Sequence, residues 1–153
     1  VDNSRSMNAA HNSPARTRFR RVKLELLKCI TEMAPDQGFY VIFFSNETLP
    51  LPNNGYVSAA PGARDAAMQW IGTAEAHGSP TDPTKAIDLA LRLQPDAICF
   101  LTDGEFNELV NRRLRSLKQP RTEIHTFAIG ETYGEEVLKL FAEHNRGEYR
   151  FIP

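Results

Sequence analysis

Five oxygen-bearing side chains stand where apolar runs give way to loops. They are Asp2, Ser4 and Ser6 in Asp2-Asn3-Ser4-Arg5-Ser6, Thr81 in His77-Gly78-Ser79-Pro80-Thr81, and Asp103 in Leu101-Thr102-Asp103-Gly104. In an extended segment alternate residues point to one side, so Asp2, Ser4 and Ser6 present their oxygens together. Two carboxylates and three hydroxyls, with no thiolate or imidazole, make a hard donor set that suits Mg2+, Mn2+ or Ca2+ and suits Zn2+ poorly. Taken singly, these residues have plainer uses: Ser4 and Ser6 as caps of the first helix, Asp103 as closure of the turn at Gly104. The metal reading rests on their convergence, and convergence requires a scaffold.

Hydrophobic spacing supplies one. Ser13-Pro14 reads as N-cap and first residue of a helix carrying Phe19, Val22, Leu26, Ile30 and Met33 at steps of three and four. Phe39 to Phe44 is an unbroken apolar run, predicted as a strand buried on both faces. Between Ser45 and Gly62, three prolines and Asn53-Asn54-Gly55 suit an irregular hairpin at a sheet edge. Helices are predicted over Ala63 to Ala76 and, behind the cap Asp82-Pro83, over Thr84 to Leu93; they bracket the loop that carries Thr81. A strand at Ala97 to Leu101, a helix from Phe106 to Leu117, a strand at Ile124 to Ile129, a helix around Val137 to Phe141 and a strand at Tyr149 to Ile152 complete the pattern.

Alternating strands and helices predict an α/β fold: an open, mainly parallel sheet with helices on both faces and one antiparallel edge strand. Ligands in such sheets bind beyond the carboxyl ends of the strands, where all three polar clusters fall. Only Val1 precedes the polar start, so the first strand is expected to be truncated and residues 1–153 to be a single domain cut from a longer chain.

Asp-x-Ser-x-Ser, a later Thr and a still later Asp in Thr-Asp-Gly resemble the metal-ion-dependent adhesion site of von Willebrand factor A domains. The resemblance runs over essentially the whole chain and implies the Rossmann-like fold of that family. It also implies that Ser4, Ser6 and Thr81 are direct ligands, and that Asp2 and Asp103 bind directly or through water. An ion held by few direct carboxylates keeps a coordination position for an Asp or Glu of a protein partner. The expected function is thus a cation-dependent interaction module and not an enzyme. One departure is Gly78-Ser79-Pro80 before Thr81, where the family often has paired glycines.

Two rival functions are weighed beside it. A Mg2+-dependent hydrolase or phosphoryl-transfer enzyme would use Asp2 as nucleophile or base, but no second acid follows at Ser4 and no glycine-rich phosphate cradle with a lysine is present. A metal-free scaffold is the other. The formal charge of −1, from 18 basic and 19 acidic residues, gives no global field for nucleic acid or anionic membrane. The cluster Arg16, Arg18, Arg20, Arg21 and Lys23 reads as a solvated helix face, because Glu25 and Glu32 follow on the same helix. No apolar run reaches the length of a membrane span, so no direct membrane contact is expected. Cys29 and Cys99, unpaired in sequence, are expected to be buried free thiols.

Overall fold

The computed structural model describes all residues from Val1 to Pro153. Extended residues Val1–Asn3 lead into a 3-10 turn at Arg5–Asn8 and then helix α1 (Arg18–Glu32). Four short strands follow: β1 (Gly38–Phe39), β2 (Ile42–Phe44), β3 (Thr48–Pro50) and β4 (Val57–Ser58). Helices α2 (Asp65–Thr73) and α3 (Thr84–Arg92) precede β5 (Ala97–Thr102). The chain closes with α4 (Glu108–Ser116), β6 (Glu123–Ile129), α5 (Glu135–His144) and β7 (Tyr149–Ile152).

Strands β5, β6 and β7 form a parallel sheet in sequence order. Val1–Asn3 joins it to β2: Asp2 N donates to Leu101 O at 2.8 Å on one side, while Asn3 N donates to Phe44 O at 2.9 Å and Phe44 N to Val1 O at 3.0 Å on the other. Asp2 and Phe44 bridge in parallel, and β3 pairs antiparallel outside β2. The order across the sheet is β3, β2, Val1–Asn3, β5, β6, β7. This is the expected open α/β architecture with an antiparallel edge.

Two apolar clusters sandwich the sheet. Phe19, Val22 and Ile30 of α1 and Ala67 and Ile71 of α2 pack on Phe39, Val41, Phe43 and Leu101. On the opposite face Ile87 of α3, Val110 and Leu114 of α4, and Leu138 and Phe141 of α5 pack on Phe44, Phe100 and Ile124. Phe43 and Phe44 thus serve opposite faces, as the period of two requires for a strand covered by helices on both sides. Phe100 is the hub of the second cluster, stacked on Phe44 at 5.3 Å and edge-on to Phe141 at 5.7 Å.

The structure corrects three local expectations. The run Phe39 to Phe44 is two strands and not one: β1 pairs with β4 and β2 with β3. Leu51 N still donates to Val41 O, but the Leu51 carbonyl accepts the Tyr40 hydroxyl at 2.6 Å and the ladder breaks there. Helix α1 begins four residues after the Ser13-Pro14 signal. Ser13 closes a local turn instead, its hydroxyl accepting from Ala15 N, and Arg16 takes a positive φ of 67°. The helix cap is Thr17, which accepts from Arg20 N. Both cysteines are exposed. Cys29 lies near the end of α1, and Val1–Asn3 reaches only the carboxyl end of β5, beyond Cys99.

Candidate metal centre

Asp2 and Asp103 end neighbouring strands at the point where the sheet order reverses, with β2 and β3 on one side and β5 to β7 on the other. Such a switch point opens a crevice beyond the strand ends. Both aspartates are fully buried, as is Ser4, while Ser6 is half-buried. The backbone after Asp2 folds back on it, Ser4 N donating to Asp2 Oδ1 at 2.8 Å. The Ser4 and Ser6 hydroxyls lie 3.1 Å apart, but Ser4 is extended and Ser6 lies in the 3-10 turn, so the turn and not extended alternation brings them together. Neither serine caps α1, and Ser4 precedes the 3-10 turn with no side-chain cap bond.

Thr102 carries no role in the sequence pattern although it stands inside the Thr-Asp-Gly motif. Its buried hydroxyl donates to Asp2 Oδ2 at 2.6 Å and accepts from Gly104 N at 3.0 Å, tying the two aspartate loops together. Gly104 is required here by its φ of +80° and by Gly134, whose N and Cα would lie 3.0 Å from any added Cβ. Asp103 Oδ1 accepts from Glu105 N at 3.3 Å, so the turn-closing role also holds.

Burial pushes the Asp2 carboxyl up from 3.8 to about 6; the bonds from Thr102 and Ser4 oppose this rise, and the neighbouring charge of Asp103 adds to it. Asp103 has a counterion, Arg18, with Nη1 3.4 Å from Asp103 Oδ2 and Nη2 2.8 Å from Glu131 Oε1. Arg18 is therefore no part of a solvated basic face: it is 7% exposed and points into the site. Nothing in the local sequence separates it from its basic neighbours, because the separation depends on where β5 and β6 end.

Thr81 is held less directly. Its loop is stitched to the first motif by His77 N to Asn3 O at 2.7 Å and Arg5 N to Gly78 O at 3.1 Å, and to the end of β2 by Asp82 N to Ser45 O at 2.9 Å. Asp82 caps α3 as expected, accepting from Thr84 N. Thr81 itself is half-buried and makes no hydrogen bond to the other four residues.

The chain has no cluster of three or more His, Cys, Asp or Glu able to hold an ion. A cation at this edge would therefore draw mainly on hydroxyl oxygens, with Asp2 and Asp103 supplying the charge. The donor chemistry fits a hard divalent ion, and the raised Asp2 carboxyl marks a place where positive charge would relieve an unfavourable burial.

A family model described as a von Willebrand factor type A domain matches residues 6–151. The protein is an α/β domain of the open-sheet class, and it belongs to the von Willebrand factor type A family. The matched span holds Ser6, Thr81 and Asp103 and begins after Asp2 and Ser4. Among solved structures, a von Willebrand factor type A protein from Catenulispora acidiphila superposes with a TM-score of 0.80 at 20% identity, over 99% of this chain and 37% of that one. The ArnB paralog VWA2 from Sulfolobus acidocaldarius gives 0.67 at 22% identity, over 99% and 39%. The manganese-loaded TRAP protein of Plasmodium vivax gives 0.66 at 19%, over 99% and 65%. The chain thus spans well under half of the first two. At these identities the likeness is one of fold. No curated protein matches the chain in sequence. Domains of this family are commonly protein-interaction modules and not enzymes.

Proposed function

We propose that this chain is a divalent-cation-dependent interaction module, in which Ser4, Ser6 and Thr81 offer direct oxygen ligands and Asp2 and Asp103 provide the charge. Mg2+ is the favoured ion, with Mn2+ and Ca2+ compatible with the same donors. When bound, the ion supplies a coordination position for a carboxylate from an Asp or Glu of a protein partner. The observation that carries the proposal is the pairing of two buried, adjacent aspartates with the Ser4 and Ser6 hydroxyls at a single sheet edge. A manganese-loaded protein of similar fold supports it from outside.

The test is calorimetric titration of Mg2+ and Mn2+ into the wild type and Asp103→Asn, with the fold of each checked by circular dichroism. Asparagine keeps the shape and the acceptor for Glu105 N while removing the charge. Saturable binding by the wild type, weakened at least tenfold in the variant, is the expected result. No saturable binding by the folded wild type would sink the proposal. A metal-free scaffold is then the better reading, and it too has a specific basis: the guanidinium of Arg18 already neutralises Asp103.

A further inference from the structure

We propose that Arg18 sets the cation affinity of this site, acting as a fixed positive charge that shares Asp103 with the incoming ion; the inference rests on the metal-binding reading above. The seat of Arg18 is built for it. Gly130 has a φ of +75°, and a Cβ there would fall 2.6 Å from Arg18 Nε, so the side chain lies directly against glycine backbone. Arg18 Nε is buried without a hydrogen-bond partner, and the two terminal nitrogens take all the ionic contacts.

Those contacts are unequal. The bond to Glu131 is 2.8 Å, and that to Asp103 is 3.4 Å. Glu131, on the loop after β6 and with a side chain 40% exposed, is the anchor; Asp103, fully buried, is the shared group. A cation can therefore approach Asp103 without first extracting Arg18 from its stronger partner, but it must bear the repulsion of the guanidinium charge beside it. Asp2, Asp103 and Glu131 together with Arg18 carry two net negative charges, against three without it. Cation binding is weaker for it, and the occupied site is more positive towards a carboxylate.

The experiment measures Mn2+ binding by calorimetry, and thermal stability with and without Mn2+, for the wild type, Arg18→Gln, Arg18→Lys, Glu131→Gln and the double variant Arg18→Gln/Glu131→Gln. Arg18→Gln is expected to bind Mn2+ on the order of tenfold more tightly or better, and to gain more thermal stability from it than the wild type. Arg18→Lys keeps the charge and is expected to stay near wild type. Glu131→Gln is expected to weaken binding several-fold in the wild-type background, because Arg18 then turns fully to Asp103, and to have little effect once Arg18 is gone.

A purely structural role for Arg18 would instead give weaker binding in Arg18→Gln. That result, or a Glu131→Gln effect equal in both backgrounds, overturns the inference while wild-type binding leaves the metal site standing. If Arg18→Gln does not fold, the Arg18→Lys and Glu131→Gln results decide: Glu131→Gln binding at or above wild-type affinity overturns the inference. If neither the wild type nor any variant binds, the metal reading fails and this inference with it. Binding that appears only on removal of Arg18 sinks the function proposed for the wild-type chain while bearing out the control of the site by Arg18.

Discussion

Asp2 is the residue on which burial and charge conflict most. Its carboxyl is held at about 6 against an ordinary 3.8, so folding favours the protonated form. Without added ion, the carboxylate subtracts stability above pH 6, and the loss fades as pH falls towards 4. Asp2→Asn is isosteric and uncharged, and the Thr102 hydroxyl can reverse its role towards the new amide. The variant is therefore expected to be more stable than the ion-free wild type at pH 8, by on the order of 1–3 kcal/mol, with the difference vanishing near pH 4. Urea unfolding at several pH values checks this, and a constant difference across that range would refute the assignment. Thr102→Val leaves Asp2 Oδ2 and Gly104 N without their shared partner. The expected cost is about 1–3 kcal/mol at neutral pH, measured in the same way.

At the scale of elements, the site is assembled by loop starts and helix starts whose chemistry is local. Asn107 caps α4 by accepting from Val110 N, and Asn107→Ala is expected to cost about 1 kcal/mol of stability without altering ion binding. Gly130 is different because it serves a residue on another element. Gly130→Ala must accommodate both the positive φ and a Cβ at the guanidinium of Arg18. A loss of about 1–3 kcal/mol is expected, read by thermal unfolding. The edge of the sheet shows the same mixture. Leu51 N points to Val41 O, so Pro50 and Pro52, which lack an N–H, fall on the outward side of the strand and leave a poor template for a further strand.

Across the whole molecule, two apolar clusters fix the sheet between α1 and α2 on one face and α3, α4 and α5 on the other. Phe100 joins Phe44 from the antiparallel half to Phe141 of α5. Phe100→Ala is expected to destabilise the domain by about 3–5 kcal/mol in denaturant titrations, with any ion affinity of the folded fraction preserved, because the ring packs among apolar side chains and bonds to none of the polar residues. Ion binding to the native state alone would raise the melting temperature in proportion to the logarithm of free ion concentration, a dependence that thermal scans read directly.

How much of this was legible beforehand depends on range. Spacing of apolar residues located α1, α3, α4 and α5, helix-forming composition marked α2, and the strands β5, β6 and β7 followed from short apolar runs, because each of these signals is local. The motif Asp2-x-Ser4-x-Ser6 has its two serine hydroxyls together as expected, but through the 3-10 turn at Arg5–Asn8 and not through alternation in an extended segment. The start of α1 was misplaced because Ser13-Pro14 is an equally good turn signal, and only the left-handed Arg16 shows which outcome prevails. The break between β1 and β2 was hidden because it coincides with contacts no apolar run announces: the Leu51 carbonyl accepts both Asn53 N and the hydroxyl of Tyr40, eleven residues away.

The sequence by itself determined the alternation of elements, the sheet edge at which the polar residues gather, and the hardness of their donor set; each depends on residue type and near spacing. Tertiary structure alone decided which charges meet. Arg18 and Asp103 lie eighty-five residues apart and Arg18 and Glu131 lie one hundred and thirteen, so no periodicity could single out one arginine among its basic neighbours. Their meeting is set by where β5 and β6 end relative to the first turn of α1, which is a property of the packed sheet and not of any segment within it.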